Sequence, residues 1–400
     1  MNVIHKPIHA TLPVTTFEEA RLSPEGLARL TAVMRREVEA KHVPGVSMLI
    51  SRGGKVAYAE NVGSLRPGGP AMCSDGIFRV YSMTKPIVSV AIMMLVEEGR
   101  LLLNEPIGKF IPELANPQVG VETNGRLELV PANRAITIQD LLRHTSGLTY
   151  GFAGSSVVQR LYADAPLRTQ DITSAGHVAA LAKLPLLNQP GTHWDYSHST
   201  DVLGRVVEII SGETLGAFLE AGILAPLGMV DTGFFAPADK HERLAEPFPV
   251  DPDTGEAVKL IETRVPPRFE SGGGGLVSTL DDYARFLHML HHGGTLDGVR
   301  ILGRKTLAFM VSDHLGPQVK IGSELLPPGH GFGLGFAVRR ENGMAPTPGT
   351  VGEFYWGGIA GTAFWVAPQE ELVALMLIQA PGRRDYYRQL FRNLVHAALA

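Results

Sequence analysis

Val80-Tyr81-Ser82-Met83-Thr84-Lys85-Pro86 sets a serine and a lysine three positions apart at the start of an apolar run. On a helix such residues share a face. Proline has no N–H, so Pro86 leaves the carbonyl four residues back without a helical partner. That carbonyl belongs to Ser82, which predicts a helix beginning at about Ser82 or Met83. The first turn of a helix carries unpaired N–H groups and the positive end of the dipole. A serine that must become an alkoxide suits that place, with Lys85 beside it to take the proton. The same spacing also describes a capping serine followed by a solvated lysine. Roughly one Ser-x-x-Lys is expected by chance in a chain this long, so the rest of the sequence has to decide between the two.

Composition bounds the answer. The chain has 400 residues, 44% of them hydrophobic and 19% charged, which is enough for a sizeable core in one large or two intimate domains. Its 36 basic and 40 acidic residues give a net charge of −4 without a basic stripe, which argues against a nucleic-acid partner. The single cysteine, Cys73, cannot form an internal disulfide, and the expected location is cytoplasmic. Met1–Pro7 has no apolar leader segment. The longest apolar run, near Ile87–Val96, is too short to span a bilayer and predicts a buried core helix, so no membrane partner is expected.

Outward from the serine, the chain divides by texture. Ser23-Pro24 opens a helix with Leu27, Leu30, Val33, Met34 and Val38 on one face. Gly45–Arg52 and Val56–Glu60 read as a hairpin turned at Gly53-Gly54. Ile77–Val80 is a short strand, and the helix from Ser82 should stop at Gly99. From Leu101 the pattern changes to short helices and long loops. These include a capping box at Thr137–Asp140 and amphipathic turns ended by Gly212 or begun at Thr214. After Pro266 a glycine run, Gly272–Gly275, reads as a close strand-to-helix approach leading to a helix at Asp281–His291. Strands are expected at Gly333–Val338, Ala363–Val366 and Leu372–Ile378, then a closing helix at Asp385–Leu399.

The expected fold is therefore α/β, of the α+β type: an antiparallel sheet flanked by helices, with a mostly helical inserted domain. Residues 1–100 together with 266–400 would form the sheet domain and 101–265 the helical one, with the active site in the cleft between them.

Three blocks in one order carry a family resemblance: Ser82-x-x-Lys85, Tyr196-Ser197-His198 and Trp356-Gly357-Gly358. With His144–Leu148, Pro226–Met229 and Gly274–Thr279, the chain resembles the serine β-lactamase / penicillin-binding-protein superfamily. It is most similar to the class C branch and, within that, to the family VIII carboxylesterases. The resemblance implies a β-lactamase-like fold and acylation of Ser82, with Lys85 helping to deprotonate it. It makes Tyr196 the general base, and then the acid to the leaving alkoxide. The backbone N–H groups of Ser82 and Ile359 would form the oxyanion hole. His198, Trp356, Gly357 and Gly358 would contact substrate. No metal or cofactor is implied.

Two departures from the family pattern favour an esterase. His198 stands where an Asn is usual, and Trp356 replaces the Lys that would meet a β-lactam carboxylate. A tryptophan there suits an apolar acyl or alcohol part. The expected partner is a small-molecule ester with a short chain. β-Lactam hydrolysis, D-amino-acid peptidase action, acyl transfer to an alcohol and a non-enzymatic binding role stay open, as does the oligomeric state. His193 and His144 read as structural, and the absence of Gly-x-Ser-x-Gly leaves an α/β-hydrolase elbow unsupported.

Overall fold

The computed structural model describes residues 11–123, 126–167 and 172–400. Met1–Pro7, read from the sequence as carrying no apolar leader segment, lies outside them. A seven-stranded sheet organises the chain, in the spatial order His330–Phe332, Ala337–Arg339, Phe354–Gly357, Ala363–Ala367, Leu372–Ile378, Gly45–Arg52 and Lys55–Gly63. Every neighbouring pair is antiparallel. The N-terminal hairpin is thus stitched to the last strand, with Met48 opposite Met376 and Ile50 opposite Ala374. Gly53 and Gly54 both take positive φ (60° and 73°), the conformation a two-residue hairpin turn needs.

Side chains alternate across the pleat, and both faces of this sheet are covered. Met48, Ile50, Ala374 and Met376 pack against Leu27, Leu30 and Met34 of the helix Pro24–Glu39, and against Phe391 and Val395 of the helix Arg384–His396. Leu49, Leu375 and Leu377 face the opposite way, into a core shared with the helix Thr84–Glu97 and the helix Leu280–His291. That core continues into Leu141, Trp194 and Val202 of the helical segment. Two covered faces explain why Leu372–Ile378 is apolar throughout and shows no polar alternation.

The helix that follows Ser82 begins as the sequence predicts, with one refinement. Tyr81–Met83 is a single tight turn, and the α-helix runs Thr84–Glu97, buried over nearly all its length. Gly99 follows at φ 69°. The Thr137–Asp140 capping box, the Thr214 cap and the left-handed Gly212 are all present.

Two expectations need correction. Gly333–Val338 is not one strand. Gly335 adopts φ 98°, which L-residues avoid, and the segment folds back as two short strands, His330–Phe332 and Ala337–Arg339. A hairpin, Gln118–Thr123 with Arg126–Pro131, stands where long loops were expected. Among the described residues, no helix is long and apolar enough to cross a membrane.

Candidate active site

Ser82 sits on the tight turn ahead of its helix, half-buried, while Lys85 one turn on is 1% exposed. The residue before the serine is held in an unusual conformation. Tyr81 has φ 45°, the left-handed region that a residue with a Cβ occupies at a cost of about 1–3 kcal/mol. Its hydroxyl accepts the Ile261 N–H at 3.0 Å. The serine therefore stands on a constrained shoulder.

Lys85 Nζ donates to the Gly273 carbonyl at 2.7 Å, to the Tyr150 hydroxyl at 3.2 Å and to Ser82 Oγ at 3.5 Å. The glycine run is thus more than a close strand-to-helix approach. It wraps the Tyr81–Met83 turn and delivers a carbonyl to the lysine. The Leu276 N–H donates to Thr84 Oγ1 at 3.1 Å and the Val80 N–H to the Leu276 carbonyl at 3.1 Å, closing the wrap.

Tyr196 is 5% exposed and presents its ring face to Lys85, whose Nζ lies 4.4 Å from the centroid. Its hydroxyl accepts the Trp356 indole N–H at 3.3 Å. Trp356 lies on the strand Phe354–Gly357, is 7% exposed, and stands edge-on to Phe332 at 5.4 Å. The third motif thereby meets the second directly, through one hydrogen bond. His144, at φ 56°, packs 5.0 Å from the Tyr196 ring and pairs its Nδ1 with Ser197 Oγ at 3.0 Å. Burial, with the Lys85 charge nearby, holds this imidazole well below its ordinary value and therefore neutral.

His198 faces away from open solvent. It is 4% exposed, packs its ring 4.3 Å from the Tyr150 ring and sets Nδ1 3.2 Å from Asp201 Oδ2. Asp201 in turn accepts Ser271 Oγ–H at 2.6 Å and the Gly273 N–H at 2.9 Å, both on Oδ1. Burial opposes its charge. The hydrogen bond from His198 and the charges of His177, His198 and Lys85 outweigh that and hold the carboxyl far below the carboxylate range. His177 donates Nδ1–H to the Leu167 carbonyl at 2.8 Å. Its buried Nε2 has no hydrogen-bond partner, and its donor atom lies within 4.8 Å of those of His198 and Asp201. This two-nitrogen, one-oxygen set is where a zinc-like ion would fit among the described residues.

At the end of the strand Phe354–Gly357 the chain runs beside the Tyr81–Met83 turn. A Cβ at Gly358 would run into the Val80 carbonyl and Thr362 Oγ1, so only glycine allows this approach. The Gly358 N–H donates to the Thr362 carbonyl at 2.9 Å. Ile359 follows on the rim, 39% exposed.

A half-buried serine, a lysine fixed beside it and two tyrosines around that lysine can pass a proton without an imidazole. A family model described as Beta-lactamase matches residues 30–399. The chain belongs to the β-lactamase family. Protein Rv1367c of Mycobacterium tuberculosis is 38% identical over 360 residues, covering 87% of this chain and 88% of that protein. Esterase EstB of Burkholderia gladioli is 33% identical over 372 residues, covering 88% and 89%. The solved structure of EstCE1, described as a hydrolase with promiscuous acyltransferase activity, matches with a TM-score of 0.78 at 26% identity, over 93% of this chain and 99% of that one. The expected likeness to family VIII esterases of the serine β-lactamase superfamily is borne out, as is a fold of antiparallel sheet and helices. The chain is a serine hydrolase of this β-lactamase fold.

Tyr150 is a partner of Lys85 that sequence reasoning missed. Nine tyrosines were available, and this one reaches Lys85 across 65 residues of chain. Its only sequence signal was its place just after the His144–Leu148 block.

Proposed function

We propose that the protein hydrolyses short-chain carboxylic esters through an acyl-Ser82 intermediate. The observation that carries this reading is the placement of Lys85, buried and held by Gly273 and Tyr150, with Ser82 Oγ 3.5 Å away. Lys85 helps remove the hydroxyl proton as Oγ bonds to the ester carbonyl carbon. The N–H groups of Ser82 and Ile359 receive the oxyanion. Tyr196 returns a proton to the leaving alkoxide as the carbon–oxygen bond breaks. Water, activated in the same way, then releases the acid and restores Ser82. Trp356, Gly357 and Gly358 line the substrate side and His198 supports it through Tyr150. Trp356 brings no cation to meet a substrate carboxylate, which favours neutral esters over β-lactams.

Acyl transfer to an alcohol is the second reading, because an alcohol replaces water in the last step without a new catalytic group. EstCE1 is itself described as having promiscuous acyltransferase activity. A cytoplasmic location fits Cys73, the one cysteine, which is free.

The test is turnover of nitrophenyl butyrate against nitrocefin, with mass spectrometry of the protein after a fluorophosphonate. Ester turnover with the label on Ser82 is the expected result. No turnover and no label would point to a binding protein on this fold, and dominant nitrocefin hydrolysis to a β-lactamase.

A further inference from the structure

Arg388, on the C-terminal helix Arg384–His396, donates Nη2–H to the carbonyl of Gly358. That carbonyl belongs to the peptide unit whose other end is the Ile359 N–H. Among the described residues no peptide is cis, so the C=O and N–H of this unit point in opposite directions. A cation pulling on one side of the unit therefore fixes the direction of the N–H on the other. It also polarises the amide, since a peptide whose oxygen accepts a strong hydrogen bond is a better N–H donor.

The surroundings are built to admit this arginine. A Cβ at Gly357 would lie 2.7 Å from Arg388 Nη2 and 2.8 Å from the Thr362 carbonyl, so a side chain at the second position of the third motif would displace the guanidinium from its present place against Gly358. Arg388 Nε is closed off from solvent and has no hydrogen-bond partner. Burial pushes the guanidinium down to about 10, partly offset by Asp385 at 3.5 Å; the neighbouring Arg384 lowers it further, while Tyr196 and Tyr355 raise it. It remains charged at neutral pH. An arginine held with an unpaired buried nitrogen, aimed at one backbone carbonyl, calls for a reason beyond packing.

We infer that Arg388 is a positioning residue for the oxyanion hole: it orients and polarises the Gly358–Ile359 peptide so that the Ile359 N–H meets the negative charge developing on the ester carbonyl. This rests on the reading of Ile359 given under Proposed function. Arg388 acts through that peptide and touches no reacting atom.

The experiment compares Arg388→Ala, Arg388→Gln and Arg388→Lys with the wild type in nitrophenyl butyrate hydrolysis and in inhibition by butylboronic acid, which forms a tetrahedral adduct on serine. Losing an oxyanion donor outright typically costs 10²–10³ in rate. Losing only its orientation and polarisation should cost the alanine variant about tenfold in kcat with KM nearly unchanged. The boronate inhibition constant should rise by the same factor. The glutamine variant should fall between, the lysine variant nearest the wild type, and added guanidinium ion should restore part of the alanine variant's rate. Rates within twofold of wild type across the series, or a rate loss with unchanged boronate affinity, would overturn the inference. Should the alanine variant fail to fold, the glutamine and lysine variants decide by the same two readouts. Absence of ester turnover and of Ser82 labelling in the wild type would instead sink the underlying esterase reading.

Discussion

Lys85 lies closer to the Gly273 carbonyl, at 2.7 Å, than to Ser82 Oγ, at 3.5 Å. The lysine is thus anchored on the glycine run and reaches Ser82 from that anchor. Gly273 is itself fixed by its N–H bond to Asp201 Oδ1. The placement of Lys85 therefore depends on a chain of contacts that starts on the helix Ser199–Ser211.

Ser82→Ala should abolish ester hydrolysis and fluorophosphonate labelling with little change in thermal stability. Alanine at the tight turn removes the hydroxyl alone, and the helix behind it keeps its buried apolar face. Near-wild-type turnover by this variant would end the acyl-Ser82 mechanism.

Asp201 gives a way to separate position from charge. Asp201→Asn keeps an oxygen for the Gly273 N–H and the Ser271 hydroxyl, whereas Asp201→Ala removes it. If Asp201 acts by holding Gly273 under Lys85, the alanine variant should lose about 10²-fold in kcat and the asparagine variant about tenfold or less, the range of mispositioned catalytic groups. Equal losses in both would assign the effect to the buried carboxylate charge.

Tyr150→Phe should lower kcat by about threefold to tenfold, the worth of one hydrogen bond of about 0.5–1.5 kcal/mol. The ring's stack on Phe152 at 4.8 Å and its contact with His198 remain, so the fold should hold. Combined with Lys85→Ala, which should already be severely impaired, the second change should add little, because groups serving one proton step are non-additive. Multiplicative losses in the double variant would place Tyr150 outside that step.

What could be read from the sequence was local. Pro86 and the apolar run after it locate the helix start to within a residue or two, because capping and proline chemistry act over one turn. Ser23, Thr137 and Thr214 announce their helices for the same reason. The sites not legible were those set by tertiary contact. Tyr150 meets Lys85, Arg388 meets Gly358, and Asp201 meets Gly273 across 65, 30 and 72 residues respectively, and no short-range pattern encodes those meetings. The hairpin Gln118–Pro131 did leave a signal, the alternation of Val119, Val121, Leu127 and Leu129. Much of it is exposed, which makes it weak as a core pattern. His198 packs its ring 4.3 Å from that of Tyr150 and turns Nδ1 to Asp201, contacts that Tyr196-Ser197-His198 does not announce.

Trp356 carries two expectations that different substitutions separate. Its indole N–H holds the Tyr196 hydroxyl at 3.3 Å, and the family resemblance sets its ring at the place of a β-lactamase lysine. Trp356→Phe keeps the apolar bulk and removes the donor. It should slow neutral-ester hydrolysis by about threefold to tenfold through kcat, since one neutral hydrogen bond is worth about 0.5–1.5 kcal/mol. Trp356→Lys removes the donor and the ring and puts a charge at a position only 7% exposed. Neutral esters should then lose a further amount, about 1–3 kcal/mol in all, the scale of a good apolar pocket contact. Relative turnover of the carboxylate-bearing nitrocefin should rise, because a cation would again face the substrate's charge. The rise should be modest, since Gly357 lacks the hydroxyl of the β-lactamase motif and His198 the amide. The measurement is kcat/KM for nitrophenyl butyrate and nitrocefin in all three proteins. A phenylalanine variant equal to wild type would mean that Tyr196 needs no help from the indole. An unchanged butyrate-to-nitrocefin ratio in the lysine variant would put Trp356 outside the substrate pocket and undo the assignment of the third motif.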